Sequence, residues 1–177
     1  MMLTMVMVQT LNGRITNGSD PNPSTWASPE DQHHFQSLLK DSTVLIMGST
    51  TFDVTPAKTQ PKDGKLRVVI TRDPKKYSDV SQPEKFEFTD APLKDVIKDL
   101  EQRGHKDALL VGGGTINALF LKEGLVTHLS MTVEPKLFGN GQLVVGELAG
   151  LDVNMKLLSC EKVNEQGTLF LRYEVIQ

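Results

Sequence analysis

Two glycine-bearing junctions, each at the end of an apolar run, are the clearest chemical signal in the sequence. Gly48-Ser49-Thr50-Thr51 follows one run, and Gly112-Gly113-Gly114-Thr115 follows another. The start of a helix offers free N–H groups and a partial positive charge, and glycine lets the backbone approach a phosphate closely. Two such junctions indicate a dinucleotide site. The alternative is that the glycines only turn the chain, since neither junction is a GxGxxG or Walker motif.

Two charged side chains could add to this chemistry. Arg72 follows the apolar run Leu66–Ile70 and could hold a phosphate with its fork of donors, or it could be an ordinary surface arginine. Asp31 lies in the first turn of a predicted helix, where it could favour the helix dipole or face a cleft as a carboxylate. Phe35 shares its helix face, so one wall could present an acid and an aromatic ring, although this spacing is also typical of a core.

Other reactive side chains give no recognisable pattern. The four histidines, His33, His34, His105 and His128, lack metal-ligand spacing, so we predict no metal site and interpret them as surface or incidental residues. No serine lies in a GxSxG elbow. Cys160 is the only cysteine, so we expect a buried small side chain and a reducing compartment, most simply the cytoplasm.

Composition bounds the class of protein. The chain has 177 residues and 38% hydrophobic content, which is typical of a single globular domain spanning residues 1–177. Its 19 Lys and Arg against 22 Asp and Glu argue against a nucleic-acid partner. The apolar segment Met1–Val8 lacks a basic flank and is too short to cross a membrane, so we expect a buried first strand and no membrane partner.

The elements that must position these residues alternate between strand and helix. The continuous apolar run Thr43–Met47 is typical of a strand covered on both faces. This order predicts an α/β fold with a mostly parallel sheet, helices on both faces and a C-terminal antiparallel hairpin. Such sheets bind ligands beyond the carboxyl ends of their strands. The predicted strands are Leu3–Gln9, Thr43–Met47, Leu66–Ile70, Lys85–Phe88, Ala108–Val111, Val126–Val133, Met155–Val163 and Thr168–Ile176, and the predicted helices are Pro29–Lys40, Pro92–Arg103 and Ile116–Lys122.

Two stretches are predicted to be loops. Thr10–Thr25 is polar and rich in Gly, Pro and Asn. A loop of that length in a compact domain is usually functional, and we expect a lid that excludes water. Val54–Lys65 has two prolines and little apolar content, which predicts a loop before the third strand.

Taken together, the motifs resemble those of the dihydrofolate reductase family. The resemblance lies in Trp26-x4-Asp31-x3-Phe35, in the run Val44–Phe52, in Val69-Ile70-Thr71-Arg72 and in Val111-Gly112-Gly113-Gly114-Thr115. The stretches Leu11–Ile15 and Glu134–Gly141 look more like the relatives that include the riboflavin-pathway pyrimidine reductase. The resemblance covers nearly the whole chain and implies a dihydrofolate-reductase-like three-layer αβα sandwich.

The resemblance implies NADPH as cofactor and dihydrofolate, or a related pterin or pyrimidine, as a small-molecule substrate. Asp31 resembles the pocket carboxylate that pairs with the 2-amino group and ring nitrogen of the pterin and helps to deliver a proton to N5. Thr132 resembles its hydroxyl partner, and Phe35 resembles the aromatic wall. Val8 resembles the pocket floor, and Ile15 resembles the loop over the nicotinamide.

The cofactor contacts follow in the same way. Thr71 and Arg72 resemble the pair that binds the 2′-phosphate, which implies NADPH rather than NADH. The remaining cofactor residues implied by the resemblance lie at the two glycine-bearing junctions and are Gly48, Ser49, Thr50, Thr51, Val111, Gly113, Gly114 and Thr115.

Five substitutions depart from the patterns of the two groups, namely Asn12, Gln32, Ser49, Lys65 and Asn117. Lys65 lies where folate-reducing members carry an arginine that clamps the substrate's glutamate carboxylate, so a substrate contact by Lys65 is expected. Ser49 replaces an arginine, and Gln32 replaces the arginine expected in the pyrimidine-reductase group.

The expected function is therefore an NADPH-dependent dihydrofolate reductase that acts as a monomer or a homodimer. One alternative is a 5-amino-6-(5-phosphoribosylamino)uracil reductase or another NADPH-dependent reductase on the same fold. An alternative of another class is a nucleotide-binding module without turnover.

Overall fold

The computed structural model describes residues 1–55 and 63–176, in which four α-helices accompany one eight-stranded sheet. No helix in this part of the chain is long and apolar enough to cross a membrane. Of the predicted loop Val54–Lys65, residues 56–62 lie outside the described residues. The strands are β1 (Met2–Thr10), β2 (Val44–Gly48), β3 (Leu66–Ile70), β4 (Phe86–Thr89), β5 (Asp107–Leu110), β6 (His128–Glu134), β7 (Asn154–Lys162) and β8 (Leu169–Ile176). The helices are α1 (Pro29–Asp41), α2 (Ser49–Val54), α3 (Leu93–Gln102) and α4 (Gly114–Lys122).

The sheet confirms the predicted fold class. Its strand order is β4-β3-β2-β5-β1-β6-β8-β7, and the first six of these strands pair in parallel. The last two, β8 and β7, form the predicted antiparallel hairpin on β6. All five residues of β2 are buried, as the continuous apolar run Thr43–Met47 predicts. The carboxyl ends of the parallel strands therefore meet along one edge of the sheet.

Helices cover both faces of the sheet because side chains alternate along each strand. On β2, Val44 and Ile46 belong to one apolar cluster, which also holds Leu100 of α3 and Phe120 of α4. Leu45 and Met47 belong to a second cluster, which holds Phe52 of α2 and is contacted by the partly buried Leu39 of α1. The fold is thus the expected αβα sandwich, with α1 and α2 on the face opposite α3 and α4.

The outer strand of the C-terminal hairpin is much more exposed than the rest of the sheet. Strand β7 is the sheet edge and is exposed along almost its whole length. The expectation of a buried Cys160 is therefore wrong, because the thiol is exposed. The strand is predicted correctly as part of a hairpin, but its side chains are exposed on both faces of the sheet.

The two apolar clusters predict that two leucines contribute very differently to the free energy of unfolding. Leu100 is fully buried in α3, whereas Leu158 on β7 is 45% exposed. We expect Leu100→Ala to lower the free energy of unfolding by about 2–5 kcal/mol, since it removes buried methyl groups and leaves a cavity. Leu158→Ala makes the same chemical change at the edge and should cost well under about 1 kcal/mol. Urea unfolding followed by circular dichroism measures both, and equal losses would contradict this description of the core.

Candidate active site

A cleft of about 1010 Å³ lies at the carboxyl ends of the parallel strands. Its walls come from β1, β2, β3 and β6, from α1, α2 and α4, and from the segments around Ile15 and Gln142. The structure brings all but one of the predicted site residues to this cleft; their individual roles stay predictions. Those that line it are Val8, Ile15, Asp31, Phe35, Gly48, Ser49, Thr50, Thr51, Thr71, Arg72, Val111, Gly113, Gly114, Thr115 and Thr132.

Lys65 is the predicted residue that does not line the cleft. Its ammonium donates hydrogen bonds to the carbonyl oxygens of Leu39 (2.9 Å), Lys40 (2.8 Å) and Ser42 (2.5 Å). These carbonyls lie at the C-terminal end of α1, where helix carbonyls lack partners and carry partial negative charge. Lys65 therefore stabilises the end of α1, and the structure does not place it where it would clamp a substrate carboxylate.

Asp31 is the buried acid of the cleft. It lies in the first turn of α1, where Ser28 caps the helix and accepts a hydrogen bond from the Asp31 backbone N–H (3.3 Å). Burial raises the pKa of Asp31 to about 6, a hydrogen bond with the Thr132 side chain opposes the rise, and the negative charge of Glu134 adds to it. A carboxyl group with this pKa holds a proton on a useful fraction of molecules near neutral pH, as a proton donor requires.

His34 also lines the cleft, so the interpretation of this histidine as incidental is wrong. Its Nε2 atom lies 3.0 Å from Ser130 Oγ, and its ring stacks on Phe170 with centroids 4.6 Å apart. Burial lowers the pKa of His34, and the charge of Arg172 lowers it further, so the neutral ring is favoured. The sequence does contain a signal for this position, because His34 follows Asp31 by three residues and residues three apart share a helix face.

Two parallel hydrogen-bonded pairs thus join α1 to β6 beside the cleft. Asp31 pairs with Thr132, and His34 pairs with Ser130. Ser130 and Thr132 are two apart on β6, so their side chains lie on the same face of the sheet. The two pairs fix the Asp31 and His34 side chains along the cleft wall that also contains Phe35.

The two glycine-bearing junctions meet in the same cleft. Gly48 N–H donates to the carbonyl of Gly112 (2.8 Å), and a Cβ atom on Gly48 would lie 2.8 Å from Ile116 Cγ1. A Cβ atom on Gly114 would lie 2.3 Å from the carbonyl oxygen of Leu143. A side chain at Gly114 would therefore collide with the backbone of another segment, and one at Gly48 would collide with the Ile116 side chain.

The start of α4 has the chemistry of a phosphate site. Gly113 is its N-cap and makes no side-chain capping hydrogen bond, which leaves the first N–H groups of the helix for a ligand. Arg72 is exposed at the end of β3 and lines the same cleft beside Thr71. These residues fit a dinucleotide with an additional phosphate, since they combine free N–H donors, close backbone approach and a guanidinium group.

The predicted lid segment is partly ordered by a neighbouring loop. Arg14 forms an isolated bridge with Leu143, and Ile15 N–H donates to the carbonyl of Gln142 (2.9 Å). Arg14, which the sequence motifs do not identify as a site residue, lines the cleft and donates through Nη1 to Gly141 O (2.6 Å). The segment therefore forms a cleft wall, whereas its closure over a ligand stays a prediction. Within residues 1–55 and 63–176, no group of three or more His, Cys, Asp or Glu side chains could hold a metal ion.

A sequence model described as the RibD C-terminal domain matches residues 1–169. The chain belongs to the RibD C-terminal domain family. It is also 31% identical to dihydrofolate reductase from Mycobacterium tuberculosis over 121 residues, which is 68% of this chain and 65% of that protein. The chain thus matches slightly less than two thirds of this curated relative.

Solved structures of RibD relatives share the fold. A Shewanella sp. PV-4 protein whose name refers to riboflavin biosynthesis has a TM-score of 0.79 at 23% identity, and the match covers 100% of both chains. The Thermotoga maritima diaminohydroxyphosphoribosylaminopyrimidine deaminase/5-amino-6-(5-phosphoribosylamino)uracil reductase has a TM-score of 0.76 at 14% identity. That match covers 99% of this chain and 56% of the Thermotoga protein.

The environment of Asp31 predicts how stability depends on pH. The folded-state pKa of about 6 lies above the ordinary value of 3.8, so the native state favours the protonated carboxyl. The associated stability is present below about pH 4 and is lost as the pH rises through about 6. Asp31→Asn keeps the shape without the charge, so at pH 8 it should be more stable than the parent by roughly 2–3 kcal/mol.

Urea unfolding from pH 4 to pH 8 tests this expectation. The advantage of Asp31→Asn should shrink towards zero at pH 4. Asp41→Asn removes an exposed carboxylate from the last residue of the same helix and serves as the control. If Asp31→Asn is no more stable than the parent at pH 8, then folding does not disfavour the ionised form of Asp31.

Proposed function

We propose that this protein is an NADPH-dependent oxidoreductase that reduces a C=N bond of a nitrogen heterocycle or of its ring substituent. The observation that carries the proposal is the placement of Asp31 in the same cleft as the start of α4 and Arg72. An acid with a pKa of about 6 lies in a cleft that also offers hydrogen-bond donors for a phosphate group. Membership of the RibD C-terminal domain family supports an oxidoreductase.

The residues of the cleft divide into two roles. Free N–H groups at the start of α4 would bind the cofactor pyrophosphate, and Arg72 with Thr71 would bind the 2′-phosphate. NADPH, when bound, supplies the hydride, and the protein supplies orientation and charge. Val8 and Ile15 would form the cleft wall at the nicotinamide end.

Asp31 is the proton-handling group in this proposal. Its carboxyl would bind N–H donors of the substrate ring and hold a proton for the nitrogen next to the carbon that is reduced. Thr132 orients this carboxyl through the hydrogen bond between the two side chains. Phe35 lines the cleft on the same helix and would provide a flat contact for the ring.

Two substrates are candidates, and a different observation favours each. The match to Mycobacterium tuberculosis dihydrofolate reductase favours dihydrofolate, whose 2-amino pterin ring offers two adjacent donors to one carboxylate. The RibD C-terminal domain match favours a ribosylaminopyrimidine. The engagement of Lys65 by carbonyls of α1 and Ser42 removes one expected contact to the glutamate tail of folate.

The first test is NADPH oxidation by purified protein with either dihydrofolate or 5-amino-6-(5-phosphoribosylamino)uracil. We expect turnover of at least one, and a fall of about a hundredfold or more in Asp31→Asn, because general acid catalysis contributes about 10²–10⁴ in rate. Asp41→Asn, at the exposed end of the same helix, should retain the parent rate. Silence with both substrates while NADPH still binds would favour the nucleotide-binding module, and full activity of Asp31→Asn would remove this residue from the mechanism.

Cofactor selectivity tests the role of Arg72. Arg72→Ala should weaken NADPH binding by roughly 1.5–3 kcal/mol, the range for a hydrogen bond to a charged group, and leave NADH binding unchanged. Only NADPH carries the additional phosphate. Lys75→Ala, a nearby exposed cation outside the cleft lining, is the matched control. Calorimetric titration with each cofactor measures the difference, and equal weakening of both would refute the assignment.

A further inference from the structure

Glu134 is a buried carboxylate with no assigned role. It is the last residue of β6, and only 2% of it is exposed. Its Oε1 atom accepts a hydrogen bond from the Ser28 backbone N–H (2.7 Å), and its Oε2 atom accepts one from Thr168 Oγ1 (2.8 Å). Both oxygens therefore have partners, one at the entrance to α1 and one at the end of the β7–β8 turn.

A short hydrogen-bonded path leads from Glu134 to Asp31. Ser28 gives its N–H to Glu134, and its own Oγ atom accepts from the Asp31 N–H (3.3 Å). Two residues before Ser28, the carbonyl of Trp26 accepts from the ammonium of Lys136. The chain is therefore held at two points immediately before α1 begins, and both holding side chains come from the end of β6 or just beyond it.

The turn of the hairpin completes the network. Asn164 Nδ2 donates to Thr168 Oγ1 (3.0 Å) and to Glu30 Oε2 (3.2 Å). Asn164 Oδ1 accepts from the backbone N–H groups of Gly167 and Thr168 (3.0 Å each). The turn is thus bound to the first turn of α1 both directly, through Glu30, and through Glu134.

We propose that Glu134 is a positioning residue for Asp31. Glu134 joins the N-cap of α1 to the C-terminal hairpin, and this connection holds the Asp31 carboxyl against Thr132. The charge of Glu134 also raises the pKa of Asp31. The positioning stands on the geometry, and its effect on catalysis rests on the proposed function. Other charged or titratable groups near this part of α1 are Glu30, His33 and His34 on α1, Arg172 on β8 and Lys136 after β6.

Two substitutions separate the charge of Glu134 from its hydrogen bonds. Glu134→Gln keeps the size and an acceptor for Ser28 but removes the negative charge. Thr168→Val keeps the charge of Glu134 and removes the donor that holds it, while Thr168→Ser restores that donor. Glu161→Gln on exposed β7 is the matched control for loss of a glutamate charge.

The first readout is the titration of the Asp31 carboxyl, followed by carbon-13 NMR of labelled protein. In Glu134→Gln, we expect its midpoint to fall by about one pH unit, because a neighbouring like charge is gone. In Glu161→Gln, it should not move. A folded Glu134→Gln protein with an unchanged midpoint would overturn the electrostatic part of the proposal.

The second readout is hydrogen exchange at the backbone amides of Ser28 and Asp31. Thr168→Val should reduce their protection at least tenfold, and Thr168→Ser should restore it. Unchanged protection in Thr168→Val would overturn the proposal that Glu134 positions Asp31 through its hydrogen bonds. This experiment does not depend on whether Glu134→Gln folds.

Turnover separates this inference from the proposed function. If the parent protein reduces either substrate, its kcat should fall as the pH rises through the Asp31 midpoint, because the proton donor is then lost. In Glu134→Gln, this alkaline limb of the kcat profile should move to lower pH with the Asp31 midpoint. If the parent is inactive with both substrates, the proposed function fails, while the titration and exchange results still decide whether Glu134 positions Asp31. A kcat profile that stays fixed while the Asp31 midpoint moves would overturn the catalytic consequence.

Discussion

Helix α1 presents one buried side chain to the rest of the molecule, and that side chain is a carboxylic acid. Of the thirteen residues of α1, Asp31 alone is buried. Burial of an ionisable group is unfavourable unless the group has hydrogen-bond partners or becomes neutral. The start of α1 therefore depends on polar contacts to β6, namely those of Asp31 with Thr132 and of Ser28 with Glu134. Such an arrangement exchanges stability for a reactive group, which is typical of functional sites.

The other side of the cleft follows a different constraint, which is close packing around two glycines. Gly48 and Gly114 lie where a Cβ atom would collide with Ile116 or with the carbonyl oxygen of Leu143. The start of α4 could bind a phosphate because no capping side chain takes up its first N–H groups. One side of the site is thus formed by polar side chains, and the other by glycines that leave room for neighbouring groups.

The sequence allows the fold and most of the cleft lining to be predicted because both follow from local rules. Strand–glycine–helix junctions put Gly48 and Gly113 at strand ends, and the carboxyl ends of parallel strands meet at one edge. Asp31 and Phe35 follow from their spacing on a helix.

The residues that could not be predicted depend on contacts between distant segments. Lys65 has a long side chain that could reach a ligand or a helix end, and the position of α1 decides between them. His34 becomes part of the cleft through its contacts with Ser130 and Phe170, which require the register of β6 and β8. Cys160 is exposed because β7 is exposed along almost its whole length, which depends on where the other elements lie and not on the sequence of β7 itself.

The exposed edge strand β7 leaves a row of backbone N–H and C=O groups without a neighbouring strand in the described sheet. Such an edge is a template for aggregation through chain-to-chain pairing. Two features of β7 oppose flat pairing: an irregularity in its register between Leu157 and Ser159, and the charges of Lys156, Glu161 and Lys162. The colloidal behaviour of the protein in concentrated solution therefore depends on a few side chains far from its cleft.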